Sequence, residues 1–180
     1  MASLATVLGI FKLYRMPWGG SVSLKLLPLL YLALRRGPKA GAAGGQITGI
    51  TTFILEPPII FPLALVLFDY ILPYLSIGLA GWFRNSPRWG ICLSIIVGLV
   101  FHVISGVLYF AAFAPPDLNR QTYQILNEYI GLSLPSLLHD SITPWLYSVL
   151  YNSSYIIPEL ILMLFLVPYV IKRLDRHRSV

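Results

Sequence analysis

Apolar residues in this chain come in long blocks broken by short clusters of Gly, Pro and charge, and they do not alternate with polar residues. The blocks fall near 2–14, 24–36, 38–55, 59–83, 91–113 and 145–171. A helix that crosses a bilayer needs about 20 apolar residues to span about 30 Å of hydrocarbon. The pattern therefore predicts an all-α integral membrane protein with about six transmembrane helices, forming one domain over residues 1–180. The first two blocks are short, so they must stand nearly perpendicular to the membrane or be shielded by neighbours. A long segment, 114–144, precedes the last helix, and its stretch 119–130 has apolar residues at helical intervals suited to lying on a membrane surface.

Composition agrees with this pattern. Hydrophobic residues make up 57% and charged residues 11%, with a mean hydropathy of +0.75, whereas soluble domains carry about 25% charge. The excess of Lys and Arg also sorts by side. With the N-terminus inside, Arg35, Arg36, Lys39, Arg84, Arg88, Lys172, Arg173, Arg176 and Arg178 fall on inner segments, and only Lys12, Arg15, Lys25 and Arg120 fall outside. That split predicts both termini on the cytoplasmic side, and the expected location is the cytoplasmic membrane of a prokaryote. Topology and anionic lipid then account for the net charge of +6, and nucleic acid is not an expected partner. The lone Cys92 excludes an internal disulfide.

Against this background a few polar side chains stand out, because an ionisable group at membrane depth is costly unless it faces a protein interior or a watery cavity. Asp69, His102 and Asn152 each sit inside a different apolar block. Tyr70 follows Asp69. Gly106 lies one turn after His102 and leaves room beside the ring, while Tyr109 and Phe110 flank that face. In the last block Asn152, Tyr155 and Glu159 share one helix face, and Tyr147 lies nearer the outer end. Singly, each could be an interhelical hydrogen bond; together they suggest one shared site on the outer half. An acid among aromatic walls suits a flat cationic ligand.

The stretch Met16–Ser23 is either a plain turn built by Pro17, Gly19 and Gly20 or a re-entrant cap over a cavity with Trp18 as a stacking surface. Gly45 and Gly49 have the spacing that lets helix backbones approach closely. No Walker A, HExxH, GxSxG or Cys/His metal cluster occurs in the sequence. An enzyme is therefore not expected, nor a metal or cofactor, and any ATP-driven work must come from a partner.

Five pieces, MPWGGSVSL, LALRRGPKAG, FDYILPYLSIGLAG, FHVISG and LYSVLYN, resemble in order and spacing the thiamine-specific substrate-binding subunits (S components) of energy-coupling factor (ECF) vitamin transporters. The resemblance implies a six-helix protein that binds thiamine with high affinity on the outer side and works with a coupling transmembrane subunit and two ATPase subunits. It further implies that Asp69 stands where the family has a ligand-contacting glutamate and that Tyr70 matches the next tyrosine. His102 and Gly106 match an HxxxG pair, Phe110 the place of a stacking tryptophan, Tyr147 and Asn152 a YxxxxN pair, and Trp18 or Gly19 an aromatic lid. Several features depart from the family: an aspartate one methylene short, the extra acid Glu159, the long 114–144 segment and a short first helix. In that helix Ala5 and Gly9 keep a small pair expected to meet the coupling subunit. Glu159 stays open as a ligand contact, a proton site or a partner in a buried pair. The competing reading is a proton-coupled secondary transporter of thiamine, or of a precursor such as hydroxymethylpyrimidine or hydroxyethylthiazole, working through Asp69, His102 or Glu159.

Overall fold

A computed structural model of the protein describes residues 1–17, 19–58, 63–110 and 136–176, without the side chains of 110 and 136–143. Six helices and one hairpin make up this part: α1 (Ala2–Ile10), β1 (Lys12–Arg15), β2 (Ser21–Ser23), α2 (Leu26–Arg36), α3 (Pro38–Leu55), α4 (Leu63–Trp82), α5 (Pro87–Tyr109) and α6 (Ser136–Arg176). Among the described residues α4, α5 and the Pro144–Arg176 part of α6 are long and apolar enough to cross a membrane. The six helices are the number expected from the sequence. α3, at 18 residues, is about 27 Å long, but it is rich in Gly and Thr. α1 and α2 have 9 and 11 residues, too few to span on their own.

Two boundaries differ from the apolar pattern. The first block does not stay helical to residue 14: α1 ends at Ile10, Phe11 is extended, and Lys12–Arg15 pairs antiparallel with Ser21–Ser23. Gly19 and Gly20 close the hairpin at φ of 101° and 87°, a region that side-chain-bearing residues avoid. The last helix begins at Ser136, ahead of the expected 145. Its polar first turns carry no hydropathy signal, and 41 residues make it about 60 Å long, well beyond the bilayer core. The proposed surface segment 119–130 lies outside the described residues.

Between lipid-facing helices there is little hydrophobic drive to associate, so close packing of small residues takes over. α3 illustrates this. A Cβ on Gly41 would lie 2.4 Å from the Ala33 side chain, one on Gly45 2.1 Å from the Tyr74 carbonyl oxygen, and one on Gly49 2.3 Å from that of Tyr70. The glycine stripe therefore serves helix packing, and it seats α3 on the part of α4 that bears Tyr70 and Tyr74. The buried core continues through Leu29, Leu30 and Ala33 of α2, Ile77 of α4, Ile91 of α5, and Met163 and Val167 of α6. At one end of the bundle Arg35 at the close of α2 pairs with Asp175 at the close of α6. The hairpin and the Asp69–His102 region occupy the other end.

Candidate functional site

α4 is not a uniform helix. Its turn Leu67–Ile71 is a π-helix, with the Leu72 N–H donating to the Leu67 carbonyl five residues back. Pro73 explains this. It has no N–H to give the Asp69 carbonyl four residues earlier, and its ring crowds that carbonyl, so the turn widens. Gln46 of α3 steadies the irregular stretch by donating Nε2–H to the Ile71 carbonyl at 2.7 Å. Asp69 sits in the middle of the wide turn, facing α5.

There His102 lies with Nδ1 3.0 Å from Asp69 Oδ1, and Ser105 Oγ donates to Oδ2 at 2.9 Å. The carboxylate accepts the Nδ1 proton and leaves Nε2 free for another partner. The side chains of Asp69 and His102 remain 20% and 24% exposed, so the pair is held from behind yet open to the cavity. Each carboxylate oxygen keeps a further lone pair for an incoming N–H donor.

α6 forms the facing wall. Tyr147, Tyr151 and Tyr155 recur every four residues, with successive ring centroids 5.9 and 6.3 Å apart, and the Tyr155 ring meets His102 edge-on at 6.4 Å. Asn152 is buried and fully engaged. Its Nδ2 donates to the Ser148 carbonyl at 2.9 Å and lies 3.3 Å from the His102 carbonyl, while Oδ1 accepts from the Tyr155 hydroxyl at 2.7 Å. Ser148 in turn donates to the Val103 carbonyl at 2.8 Å. Gly106 permits this close join of α5 and α6, since a Cβ there would fall 2.1 Å from Ser148 Oγ.

The hairpin is fastened across this end of the bundle through four attachments. Tyr151 donates its hydroxyl to the Gly19 carbonyl at 3.0 Å. Ser23 gives its backbone N–H and its hydroxyl to Glu159 Oε1 at 3.3 and 3.4 Å. Lys12 pairs with Glu56. Gly20 lies flat on the Tyr155 ring, where a Cβ would approach to 2.6 Å. The stretch Met16–Ser23 thus holds the turn at Gly19 and Gly20 and the second strand of an antiparallel hairpin with a register shift between Lys12 and Tyr14, while Trp18, on which the cap depends, lies outside the described residues. Tyr70 donates to the Glu56 carbonyl at 3.0 Å, joining the α3 exit to the same rim.

These elements enclose a cavity of about 580 Å³ lined by Asp69, Tyr70, His102, Gly106, Tyr147, Asn152 and Glu159 among others, a size usual for small-molecule sites. Tyr109 is half-buried and is not part of the lining. Trp18 and the side chain of Phe110 lie outside the described residues, although Pro17, Gly19 and Gly20 line the cavity. Ala5 and Gly9 depart from expectation. Ala5 is fully buried within the chain, and a Cβ on Gly9 would sit 3.5 Å from Lys25, because α1 turns its small face inward onto the bundle. Its exposed face carries Leu4, Val7 and Ile10. Sequence reasoning missed Lys25, Ser105, Ser148 and Tyr151. The Tyr147–Tyr151–Tyr155 spacing was the available signal for Tyr151, while serines are too common in apolar helices to stand out.

Residues 1–138 match the profile of the family described as thiamine transporter protein. The chain belongs to that family. This transporter is 29% identical to the thiamine transporter ThiT of Bacillus subtilis (strain 168) over 181 residues, covering 90% of the chain and 81% of the relative. Its fold resembles the solved structure of ThiT from Listeria monocytogenes with a TM-score of 0.74, covering 97% of this chain and 91% of the other at 18% identity. The mainly helical fold of the transporter is thus that of ThiT, and the family is one of transporters and not of enzymes.

Proposed function

We propose that this protein captures thiamine in the cavity beneath the hairpin and serves as the high-affinity substrate-binding subunit of an ECF-type uptake system. One observation carries the reading: a carboxylate backed by His102 and Ser105 at 3.0 and 2.9 Å faces a run of neighbouring tyrosine rings, one pair tilted and the next edge-on, across one cavity. Thiamine has a fixed thiazolium charge, which an aromatic face attracts, and an aminopyrimidine whose N–H groups a carboxylate accepts. In this reading Asp69 takes the pyrimidine edge and the aromatic residues hold the rings. His102, with Asn152 supporting it, fixes the acid. Glu159 anchors Ser23, which favours a role in holding the hairpin over direct contact with the ligand. The coupling subunit, the two ATPases, the cytoplasmic membrane and cytoplasmic termini belong to the same proposal, supported by the sequence resemblance and by the grouping of Arg and Lys at the end away from the cavity.

The test is a calorimetric titration of the detergent-solubilised protein with thiamine, hydroxymethylpyrimidine and hydroxyethylthiazole. Tight thiamine binding, weakened at least about tenfold by Asp69→Asn through loss of a charge-assisted hydrogen bond, is the expected result. Tight binding of only one half-molecule would change the substrate, and no binding of any of the three would overturn the reading.

A further inference from the structure

The cavity wall holds a cation that a site for a cationic ligand does not obviously need. Lys25, at the start of α2, is half-buried and lines the cavity. Its ammonium stands over the Tyr74 ring, 5.6 Å from the centroid. Glu159 and Glu56 are within electrostatic range, yet among the described residues neither forms an ion pair with it within 4 Å. Glu56 is paired with Lys12, and Glu159 Oε1 is taken by Ser23. An ammonium has three N–H donors and no acceptor; the Tyr74 side chain accepts one, and Lys25 offers the others to whatever fills this side of the cavity.

Two consequences follow for a ligand with one charged and one neutral ring. Like charges a few ångströms apart in a partly buried site repel strongly enough to change affinity by more than tenfold, so a fixed cation is disfavoured beside Lys25. The Tyr74 face, which would otherwise attract that cation, is already occupied by the ammonium. Across the cavity the rings of Tyr147 and Tyr155 have no ammonium over them among the described residues. A neutral heteroaromatic ring has lone-pair nitrogens that can accept from Lys25, whereas a quaternised ring nitrogen has none.

Resting on the thiamine reading above, we propose that Lys25 is an orienting and specificity-determining residue. It donates to an acceptor nitrogen of the neutral pyrimidine ring, holds that ring on the α2–α4 side with Asp69, and leaves the fixed charge to the α6 tyrosines.

The experiment is calorimetric titration of the wild type, Lys25→Met, Lys25→Gln and Lys25→Arg with three probes: thiamine, hydroxymethylpyrimidine and N-methylated hydroxyethylthiazolium. Lys25→Met is expected to weaken hydroxymethylpyrimidine about tenfold or more while leaving the thiazolium probe unchanged or tighter. Lys25→Arg should keep most of the pyrimidine affinity. Lys25→Gln, which retains a donor without the charge, should fall between and gives the ratio if the Met variant does not fold. A loss shared equally by both half-molecules, a loss confined to the thiazolium probe, or no change in their ratio would each overturn the orientation. If the wild type itself fails to bind thiamine, the functional reading falls and this proposal with it. Wild-type thiamine binding with an unmoved ratio removes only the role of Lys25.

Discussion

Gly106 shows how far a single residue sets the geometry of the site. With no side chain it lets α6 approach until Ser148 bonds the Val103 carbonyl, and Asn152 lies 3.3 Å from the carbonyl of His102. A methyl group there would lie 2.1 Å from Ser148 Oγ and 3.2 Å from Asn152 Nδ2. Overpacking of this kind costs about 1–3 kcal/mol, and here it would fall on the join that holds His102. Gly106→Ala is therefore expected to lower the melting temperature in detergent and to weaken thiamine binding at least about tenfold. Gly98→Ala is the packing control, since its Cβ would meet nothing nearer than Ser76 Oγ at 3.4 Å, although Gly98 also lines the cavity, and it should leave the melting temperature close to wild type. Equal losses in both variants would mean that α5 tolerates no added bulk anywhere and that Gly106 has no special part. Asp69 and His102 were legible in the sequence because charge at membrane depth is rare and costly. Ser105 and Ser148 were not, because a serine in an apolar helix usually bonds its own backbone and carries no such signal.

At the scale of elements, the apolar blocks located the long helices and missed what interrupts them. The hairpin escaped notice because strands of four and three residues, with a register shift between Lys12 and Tyr14, are too short to show alternation. The first turns of α6 escaped because hydropathy is blind to a helix that leaves the bilayer. The π-turn in α4, by contrast, has a readable cause in Pro73, four residues after Asp69. That cause yields a prediction. Pro73→Ala restores an N–H for the Asp69 carbonyl and removes the clash, so the turn should tighten to an ordinary α-helix and swing Asp69 away from His102. Helix stability should rise or hold, because Pro in a helix interior is about 3 kcal/mol less favourable than Ala. Thiamine affinity should fall at least about tenfold as the acid loses its place. A variant that melts no earlier and binds more weakly is the expected pair of results, read by thermal denaturation and calorimetry on the same preparation. Undiminished affinity would mean that the wide turn is not what positions the carboxylate.

At the scale of the molecule, the two ends of the bundle differ in kind. One end carries the cavity, with the hairpin fastened across it by Tyr151, Glu159, Glu56 and Tyr155. The other gathers Arg35, Arg36, Lys39, Arg84, Arg88, Lys172 and Arg173 around the Arg35–Asp175 link, and carries only a shallow, open depression lined by Pro87, Lys172 and Asp175 among others. Among the described residues the acid, the imidazole and the tyrosines line the cavity at the first end alone. Moving a ligand onward then needs either a large internal rearrangement driven by an ion gradient or a partner that moves the whole subunit. Asp69 and His102 are already engaged with each other, which favours the partner proposed above. The exposed apolar face of α1, formed by Leu4, Val7 and Ile10, is a candidate surface for it in place of the inward Ala5–Gly9 pair. The purified chain in liposomes is accordingly expected to bind radiolabelled thiamine at no more than one molecule per protein, with no accumulation under an imposed pH gradient of either sign. Co-reconstitution with an ECF coupling subunit and its two ATPases should restore accumulation only when ATP is present on the ATPase side. Gradient-driven accumulation by the chain alone, abolished by His102→Gln, would instead make Asp69 and His102 a proton-coupling pair and the protein a secondary transporter.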